Sequence, residues 1–471
     1  MKKRFLAAIM AATMAFGMVG CGSDGTADTS AGESTSTSEA AGEDSGEQVV
    51  LKYTGWGSPA EKKTTQNVID NFEKTHPNIK VDYVHIPDNA NYNTKLTTMI
   101  AAGEGPDVAL LNGDTALQWA TEGKLMNVLE LAEDDPEFSV DNFLPQTVYW
   151  WDEGKMCGVN GSLEVYGLMY NKDALEEADV EVPTTAEEAW SWEEFVEVCQ
   201  KLTVDQNGRN ALDPDFDEKN IKQFGIYIPS GANMVSYAMA YTGQDFLTED
   251  GTKVNLAGTE AEKAIQNFAD LINKYHVAPN PAQSKTLPGA SVALASNKVA
   301  MVWDGQWNLM DCVANKVNFG VGIPPKMYDK PMTISMGEPI VVFSSTEHPK
   351  EAYELQQAFT NPEYTMELIE GGLWMPVLKE WYDDEELVNQ WATGNPAHPE
   401  GYVDAILNNG FSENCVPALT YSVQNFPKIM DVLNPALDKV WLGESSAADA
   451  IAEVEEKMNA EVQGKYTRPQ E

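Results

Sequence analysis

The fold is decided by residues 49–111, which read VVLKYTGWGSPAEKKTTQNVIDNFEKTHPNIKVDYVHIPDNANYNTKLTTMIAAGEGPDVALL. Short runs rich in apolar and β-branched residues alternate there with longer runs of helical spacing. The predicted strands are 49–54, 80–86 and 107–111, and the predicted helices are 61–74 and 92–102. This order predicts a parallel sheet with right-handed crossovers, and such sheets bind ligands beyond the carboxyl ends of their strands. The loops 55–60 and 112–115 are therefore the first candidates for a site.

A second series of strands and helices follows from about residue 157. The predicted strands are 163–170, 224–228, 299–303 and 317–323, and the predicted helices are 192–202, 259–275, 349–360 and 447–462. A chain of 471 residues is too long for one simple core. We therefore expect an α/β protein with two lobes.

The N-terminus has the pattern of an export signal. A basic cluster at 1–4 precedes an apolar run at 5–19. That run has 15 residues, fewer than the roughly 20 that a membrane-spanning helix needs. Met18-Val19-Gly20-Cys21 resembles the lipobox of bacterial lipoproteins, with Met18 where most have leucine. The resemblance implies a signal peptide at 1–20 and an acylated, for example palmitoylated, Cys21; ordinary cleavage that leaves Cys21 as a stray thiol is the alternative.

The amino-acid composition limits the classes of partner and ligand that we expect. Residues 21–48 comprise the lipidated cysteine and a linker without aromatic or basic residues, which we expect to be disordered and acidic. The net charge of -42 excludes a nucleic-acid partner, since phosphates are bound by Lys and Arg. Arginine occurs only at Arg4, Arg209 and Arg468. Because bidentate capture of anions favours arginine, a neutral ligand is favoured over an anionic one.

No cofactor and no metal site are predicted. The histidines are scattered and none lies in a zinc motif. An acidic loop at 205–217 is interpreted as a turn, because Arg209 falls where a calcium loop needs an oxygen ligand, although calcium stays an alternative. Disulfides and unpaired thiols are both open for the four cysteines of the exported part, Cys157, Cys199, Cys312 and Cys415.

Five segments together resemble extracellular solute-binding protein family 1, the maltose-binding-protein-like sugar-binding lipoproteins of ABC importers. They occur in the family's order and cover essentially the whole mature chain. The segments are FEKTHPNIKV at 72–81, AAGEGPDV at 101–108, YNKD at 170–173, VAMVWDGQW at 299–307 and the closing helix after LGE at 442–444.

The resemblance implies a periplasmic-binding-protein-like fold, with two α/β lobes, a ligand cleft and hinge crossovers. We place lobe 1 at 49–162 and 336–378, and lobe 2 at 163–335 and 379–471. The implied function is capture of a sugar, in particular an oligosaccharide, for delivery to the permease of an ABC importer. The protein would be a non-enzymatic monomer on the extracellular face of the cell membrane, attached through its lipid alone.

Sugar recognition needs flat aromatic faces for the ring and planar polar groups for the hydroxyls. Trp56 lies between glycines after the first strand, with Ser58 and Glu61 as neighbouring candidates. Asp114 follows the third strand and is similar in position to a cleft aspartate of the family, with Asn112 as a fallback. The alternative for Asp114 is an N-cap of the next helix.

The second lobe supplies further candidates. Glu164 matches the ligand-facing glutamate of the family, and Tyr166 shares its strand face. Trp307 matches the family's stacking tryptophan, with Asp304 and Gln306 available to bond hydroxyls.

Four weaker candidates have ordinary packing or a solvated surface as their alternative. Asn233 and Tyr237 lie in a predicted loop after the strand at 224–228. Glu338 lies where a crossover is expected, and Trp374 lies in a glycine-rich turn.

Three other functions compete with sugar capture. Paired carboxylates in a cleft would also suit an exported carbohydrate-active enzyme, although no nucleophile elbow or metal signature is present. A binder of a non-sugar solute and an adhesion lipoprotein are the remaining alternatives.

Overall fold

A computed structural model describes residues 48–87 and 89–469. The predicted signal peptide at 1–20, Cys21 and the linker as far as residue 47 lie outside the described residues. Within the described ranges, no helix combines the length and apolar character that crossing a membrane requires.

The strands form two sheets. They are β1 Val49–Gly55, β2 Ile79–His85, β3 Val108–Leu110, β4 Val148–Asp152, β5 Lys155–Asn160, β6 Glu164–Asn171, β7 Val204–Asp205, β8 Ile221–Tyr227, β9 Val299–Gly305, β10 Phe319–Gly322, β11 Thr333–Met336, β12 Pro339–Val342 and β13 Cys415–Pro417. The first sheet has the order β2-β1-β3-β12-β5-β4. The second has the order β13-β11-β6-β9-β8-β7, with β10 also paired to β6.

The parallel pairing predicted for the first three strands is confirmed. β1 pairs in parallel with β2 and with β3. The sheet continues beyond them with antiparallel strands, because β12 returns from far along the chain to pair with β3 and β5. This addition is non-local, so local sequence pattern does not reveal it.

Helices cover the sheets. They are α1 Pro59–Thr75, α2 Asn89–Ala101, α3 Gly113–Thr121, α4 Val128–Leu131, α5 Lys172–Glu177, α6 Trp192–Leu202, α7 Gly231–Thr242, α8 Glu260–Asn273, α9 Pro281–Ser284, α10 Ala290–Ala295, α11 Asn308–Ala314, α12 Pro349–Thr360, α13 Pro362–Glu370, α14 Glu380–Asp383, α15 Glu385–Ala392, α16 Phe426–Trp441 and α17 Ala447–Glu461. Short 3-10 helices occur at Val140–Asn142, Pro145–Thr147 and Leu419–Tyr421, and a π-helix at Val403–Asn408.

Local sequence explains where α1 begins. The Ser58 hydroxyl accepts the backbone N–H of Glu61, and the Glu61 carboxylate accepts the backbone N–H of Ser58. This capping box satisfies two donors that the first helical turn leaves without partners. The helix then buries Val68, Ile69 and Phe72, which lie on one face at helical spacing.

An aromatic cluster forms the centre of the core beside the second sheet. Trp303 of β9 is fully buried, and its ring contacts Phe195, Tyr237 and Phe268 with centroids 5.9, 5.0 and 5.5 Å away. These rings come from α6, α7 and α8, so one strand residue holds three helices against the sheet.

Two predicted local structures are wrong. Residues 233 and 237 do not lie in a loop, because they belong to α7, in which every residue from Met234 to Tyr241 is buried. A helix that is apolar on all sides lacks the periodic stripe that reveals a helix. The third helix begins at Gly113 with Asn112 as its N-cap, so Asp114 lies inside the first turn and does not cap it.

The four cysteines of the described chain are unpaired thiols, and Cys157, Cys199 and Cys312 are buried.

The acidic loop at 205–217 is held in place by hydrogen bonds and an ion pair within the loop. The buried Asp205 carboxylate accepts the backbone N–H groups of Asn207, Arg209 and Asp217, and it pairs with the Arg209 guanidinium at 2.8 Å. Although burial raises its pKa, these hydrogen bonds outweigh burial and hold the pKa well below its usual range.

Candidate functional site

A cleft of about 570 Å³ is lined by residues of both sheets and of the segments that join them. This volume is in the range of small-molecule sites, ~300–1,000 Å³. Nine of the predicted site residues line it: Trp56, Ser58, Glu61, Asn112, Glu164, Asn233, Trp307, Glu338 and Trp374.

Trp56 enters the cleft from the end of β1. Its ring is partly buried and rests edge-on against Tyr92, with centroids 4.8 Å apart. The next residue, Gly57, has φ +130°, and a Cβ there would lie 2.3 Å from the Glu61 carboxylate. Only glycine allows the chain to turn here, so the sequence around Trp56 places the ring and the Glu61 carboxylate in one corner.

Glu338 lies on the crossing between β11 and β12. Its Oε2 accepts the backbone N–H of Gly113 at 2.8 Å, at the N-terminus of α3. Asn112 precedes that helix and makes no side-chain capping bond, and its side-chain amide donates to Oδ1 of Asn89 at 3.4 Å. The first N–H groups of a helix have no partner within the helix, and Glu338 supplies an acceptor for one of them.

Trp307 and Glu164 enter from the second sheet. Trp307 follows β9 and is partly buried, and its ring lies edge-on to Tyr166 at 5.1 Å. The ring folds back over Gly305, where a Cβ would lie 1.9 Å from a ring carbon, so that glycine is required. Glu164 is the first residue of β6 and is also partly buried.

Three segments meet at the floor of the cleft, namely residues 161–163, the crossing at Glu338 and the turn at Trp374 and Met375. Gly161 donates its backbone N–H to the Glu338 carbonyl at 3.1 Å, and Leu163 donates to the Met375 carbonyl at 3.1 Å. The Ser162 hydroxyl accepts the backbone N–H of Met375 at 3.0 Å. Trp374 is buried and packs over Gly161, where a Cβ would lie 2.8 Å from the ring.

The structure does not bring Tyr166, Tyr237 and Gln306 to the cleft surface. All three are buried. Gln306 accepts the Val165 backbone N–H at 2.7 Å and donates to the Leu373 carbonyl at 3.1 Å. These bonds connect β6 to the turn that carries Leu373 and Trp374. The Tyr166 hydroxyl accepts the Asn233 amide, and Tyr237 shares a hydrogen bond with Thr333.

Asp304 and Asp114 also lie outside the cleft lining. Asp304 accepts the Gly305 backbone N–H at 2.8 Å and the Asn308 amide at 3.1 Å, so it stabilises the turn that carries Trp307. Asp114 accepts the Thr115 backbone N–H at 2.6 Å. The two aspartates act behind the cleft wall rather than on its surface.

Several lining residues were not predicted from the sequence: Gly57, Pro87, Asn89, Leu110, Ser162, Asp311, Met336 and Leu373. Asp311 is the important one, because it adds a carboxylate beside Glu61. It lies four residues after Trp307, and residues four apart share one helix face. That spacing was a signal that could have found it.

Four carboxyl groups in or near the cleft, those of Glu61, Glu164, Asp304 and Glu338, have raised pKa values. Burial raises the pKa of Glu61 to about 7, opposed by its bonds from Ser58 and reinforced by Asp311. Burial, Glu61 and Asp304 raise the pKa of Glu164 to about 8. Burial raises the pKa of Asp304 to about 6, and burial with Glu164 and Asp114 raises the pKa of Glu338 well above its ordinary value.

This arrangement suits reversible binding of a polar ring compound. Two tryptophan faces supply apolar contact, while the carboxyl and amide groups supply hydrogen bonds. Within the described residues, no three His, Cys, Asp or Glu side chains are grouped so that they could hold a metal ion.

Comparison with known proteins supplies the decisive observation. Residues 55–366 match the family profile of the bacterial extracellular solute-binding proteins, which is more than half of the chain. The chain belongs to this family.

Relatives of this solute-binding protein agree over long stretches. It is 24% identical over 420 residues to an uncharacterised lipoprotein of Streptomyces antibioticus, covering 83% of this chain and 82% of the relative. It is 24% identical over 322 residues to a multiple sugar-binding protein of Streptococcus mutans, covering 63% and 68% of the two chains.

A solved structure confirms the fold. The ABC substrate-binding protein of Listeria monocytogenes in complex with cycloalternan superposes with a TM-score of 0.75 at 23% identity, covering 88% of this chain and 99% of that one. The predicted periplasmic-binding-protein-like architecture, two α/β lobes with a cleft and hinge crossovers, is therefore confirmed.

The raised pKa of Glu164 predicts a pH-dependent stability. Between the unfolded pKa of about 4.3 and the folded pKa of about 8, the folded protein retains a proton that the unfolded chain releases. Stability contributed by this site therefore falls as pH rises. We expect Glu164→Gln to leave the melting temperature unchanged at pH 5 and to raise it by about 2 °C or more at pH 9.

The matched control is Glu176→Gln, which removes one exposed glutamate of α5, the helix that follows β6. Thermal melts of both variants and the parent check this prediction. Equal shifts for Glu164→Gln at pH 5 and pH 9 would contradict it.

Proposed function

We propose that this solute-binding protein captures a carbohydrate, in particular an oligosaccharide, in the cleft and delivers it to the permease of an ABC importer. The observation that supports this most is the placement of Trp56 and Trp307, which enter one cleft from different sheets among carboxylate and amide side chains. A sugar ring has an apolar face and a rim of hydroxyls, and this lining complements both.

The relatives give independent support. The Streptococcus mutans relative is named a multiple sugar-binding protein, and the Listeria monocytogenes structure holds cycloalternan. A galactooligosaccharide-binding protein of Bacillus subtilis is 24% identical over 426 residues. The proposal of oligosaccharide binding agrees with the names of all three relatives.

Capture would proceed by closure. We place one lobe at 49–162 and 336–378 and the other at 163–335 and 379–471, so that each contains one of the sheets. A sugar that contacts Trp56 of one lobe and Trp307 of the other stabilises the closed arrangement over the open one. The permease would recognise the closed monomer, and catalysis would not be involved.

The proposed location follows from Cys21. Acylation there, after removal of residues 1–20, would attach the protein to the outer face of the cell membrane, and one relative is itself a lipoprotein. Cys21→Ala should move the protein from the membrane fraction to the soluble fraction of the cells that produce it. Unchanged fractionation would contradict lipid attachment through this residue.

Binding is tested by thermal-shift screening against a library of mono- and oligosaccharides, followed by calorimetry. A true ligand should raise the melting temperature by mass action. Trp307→Ala should then weaken its affinity about 30-fold or more while the fold is retained. Trp381→Ala, outside the cleft, is the control. Unchanged affinity in Trp307→Ala would remove that residue from the site, and a library without any ligand would contradict carbohydrate binding.

An exported glycosidase remains the second candidate, because Glu61, Glu164 and Asp311 line one cleft and the pKa of Glu164 is raised to about 8. Reducing ends should be followed during incubation with each oligosaccharide that binds. Capture without catalysis predicts no increase, whereas steady turnover would replace the transport proposal.

A further inference from the structure

The cleft has an unbalanced charge. Four carboxylates line it, namely Glu61, Glu164, Asp311 and Glu338. Among the described residues that line it, none is lysine, arginine or histidine. Sugar hydroxyls need hydrogen-bonding groups, but a neutral sugar does not need four acids without one base. The excess of acids over bases therefore requires a separate explanation.

Two of these carboxylates have protein partners and two do not. Glu61 accepts the Ser58 backbone N–H, and Glu338 accepts the Gly113 backbone N–H. Glu164 and Asp311 have no hydrogen-bond donor among the described residues, although both are partly buried. Partly buried carboxylates without donors are costly, and a ligand that brings a donor removes this cost.

The carboxylates also repel one another. Every charged side chain that changes the pKa of these glutamates is another acid. Asp311 raises the pKa of Glu61, and Glu61 and Asp304 raise the pKa of Glu164. Glu164 and Asp114 raise the pKa of Glu338. A neutral ligand would exclude water and make ionisation of these acids still less favourable. A cation would favour their ionised forms.

The cation has to belong to a larger molecule. Within the described residues, no three acidic side chains are grouped as a metal ion requires. Trp56 and Trp307 lie in the same lining. Indole faces favour an organic cation as well as a sugar ring.

We infer, resting on the proposed carbohydrate binding, that the captured sugar carries a protonated amino group, which Glu164 and Asp311 hold between Trp56 and Trp307. The ligand class is thus an amino sugar or an oligosaccharide that contains one. Binding would ionise carboxyls that hold protons in the unliganded cleft, so the protein releases protons when the sugar binds. The acids that face Glu164 are Glu61, Asp304 and Glu338, and Asp311 faces Glu61.

Matched sugars test the inference by calorimetry at pH 7. The probes are glucosamine, N-acetylglucosamine and glucose, and the β-1,4-linked trimers of the same three units. They differ only in whether the 2-substituent is a cationic amine, a neutral amide or a hydroxyl. We expect the amine form to bind about tenfold or more tightly than its neutral counterparts, with protons released, and this preference to shrink at pH 5.

Variants locate the effect. Glu164→Gln should reduce affinity for the amine probe about tenfold, and by a factor about five or more greater than it reduces affinity for the neutral counterpart. Asp311→Asn should act in the same direction, which provides a second variant if the first folds poorly. Glu176→Gln, the exposed control, should change neither affinity.

The outcomes separate the two proposals. If any neutral sugar of the wider library binds and no amine form binds more tightly, the charged-ligand inference is overturned and carbohydrate capture stands. If spermidine raises the melting temperature while every sugar fails, the cleft binds a non-sugar cation and both proposals fail. If no sugar and no amine binds, both are overturned as well.

Discussion

The site depends on the way the chain crosses between the two sheets. β5 leads into β6 through residues 161–163, and β11 leads into β12 through Gly337 and Glu338. These crossings lie side by side, joined by the backbone hydrogen bond from Gly161 to Glu338. The turn that carries Trp374 and Met375 lies against them and donates to Ser162. Because the crossings are short and mutually bonded, the residues on them form the cleft floor.

Local sequence pattern was sufficient for the elements that come first in the chain. The run from β1 to β3 alternates clearly, and its parallel order follows from that alternation. Trp56 could be predicted as a cleft candidate because it directly follows a strand, whereas Trp307 was predicted from the resemblance to the family. The resemblance to the family supplied the remaining topology, including the crossings, which no local pattern contains.

The failures have physical causes. A buried polar side chain and a ligand-binding one need the same hydrogen bonds, so the sequence could not show that Gln306 bonds to backbone on both sides. The helix α7 is buried on all sides from Met234 to Tyr241, so its sequence has no apolar stripe that reveals a helical period. Asp311 lies on the helix that follows Trp307 and not at a strand end, so the rule that ligands bind at strand ends does not identify it.

The acids of the cleft also lower the stability of the folded protein. Acids with raised pKa values, packed near tryptophans without a basic partner, are typical of functional sites rather than of structural ones. Elsewhere the chain satisfies a buried acid fully, as Asp205 shows. Glu164, by contrast, has no hydrogen-bond donor among the described residues.

Small-angle X-ray scattering tests most directly whether the two lobes close when the protein captures a sugar. The radius of gyration should be measured without ligand and with a saturating amount of the sugar that stabilises the protein most. Closure predicts a smaller radius in the complex, with no change in molecular mass. An unchanged radius at full saturation would contradict capture by closure.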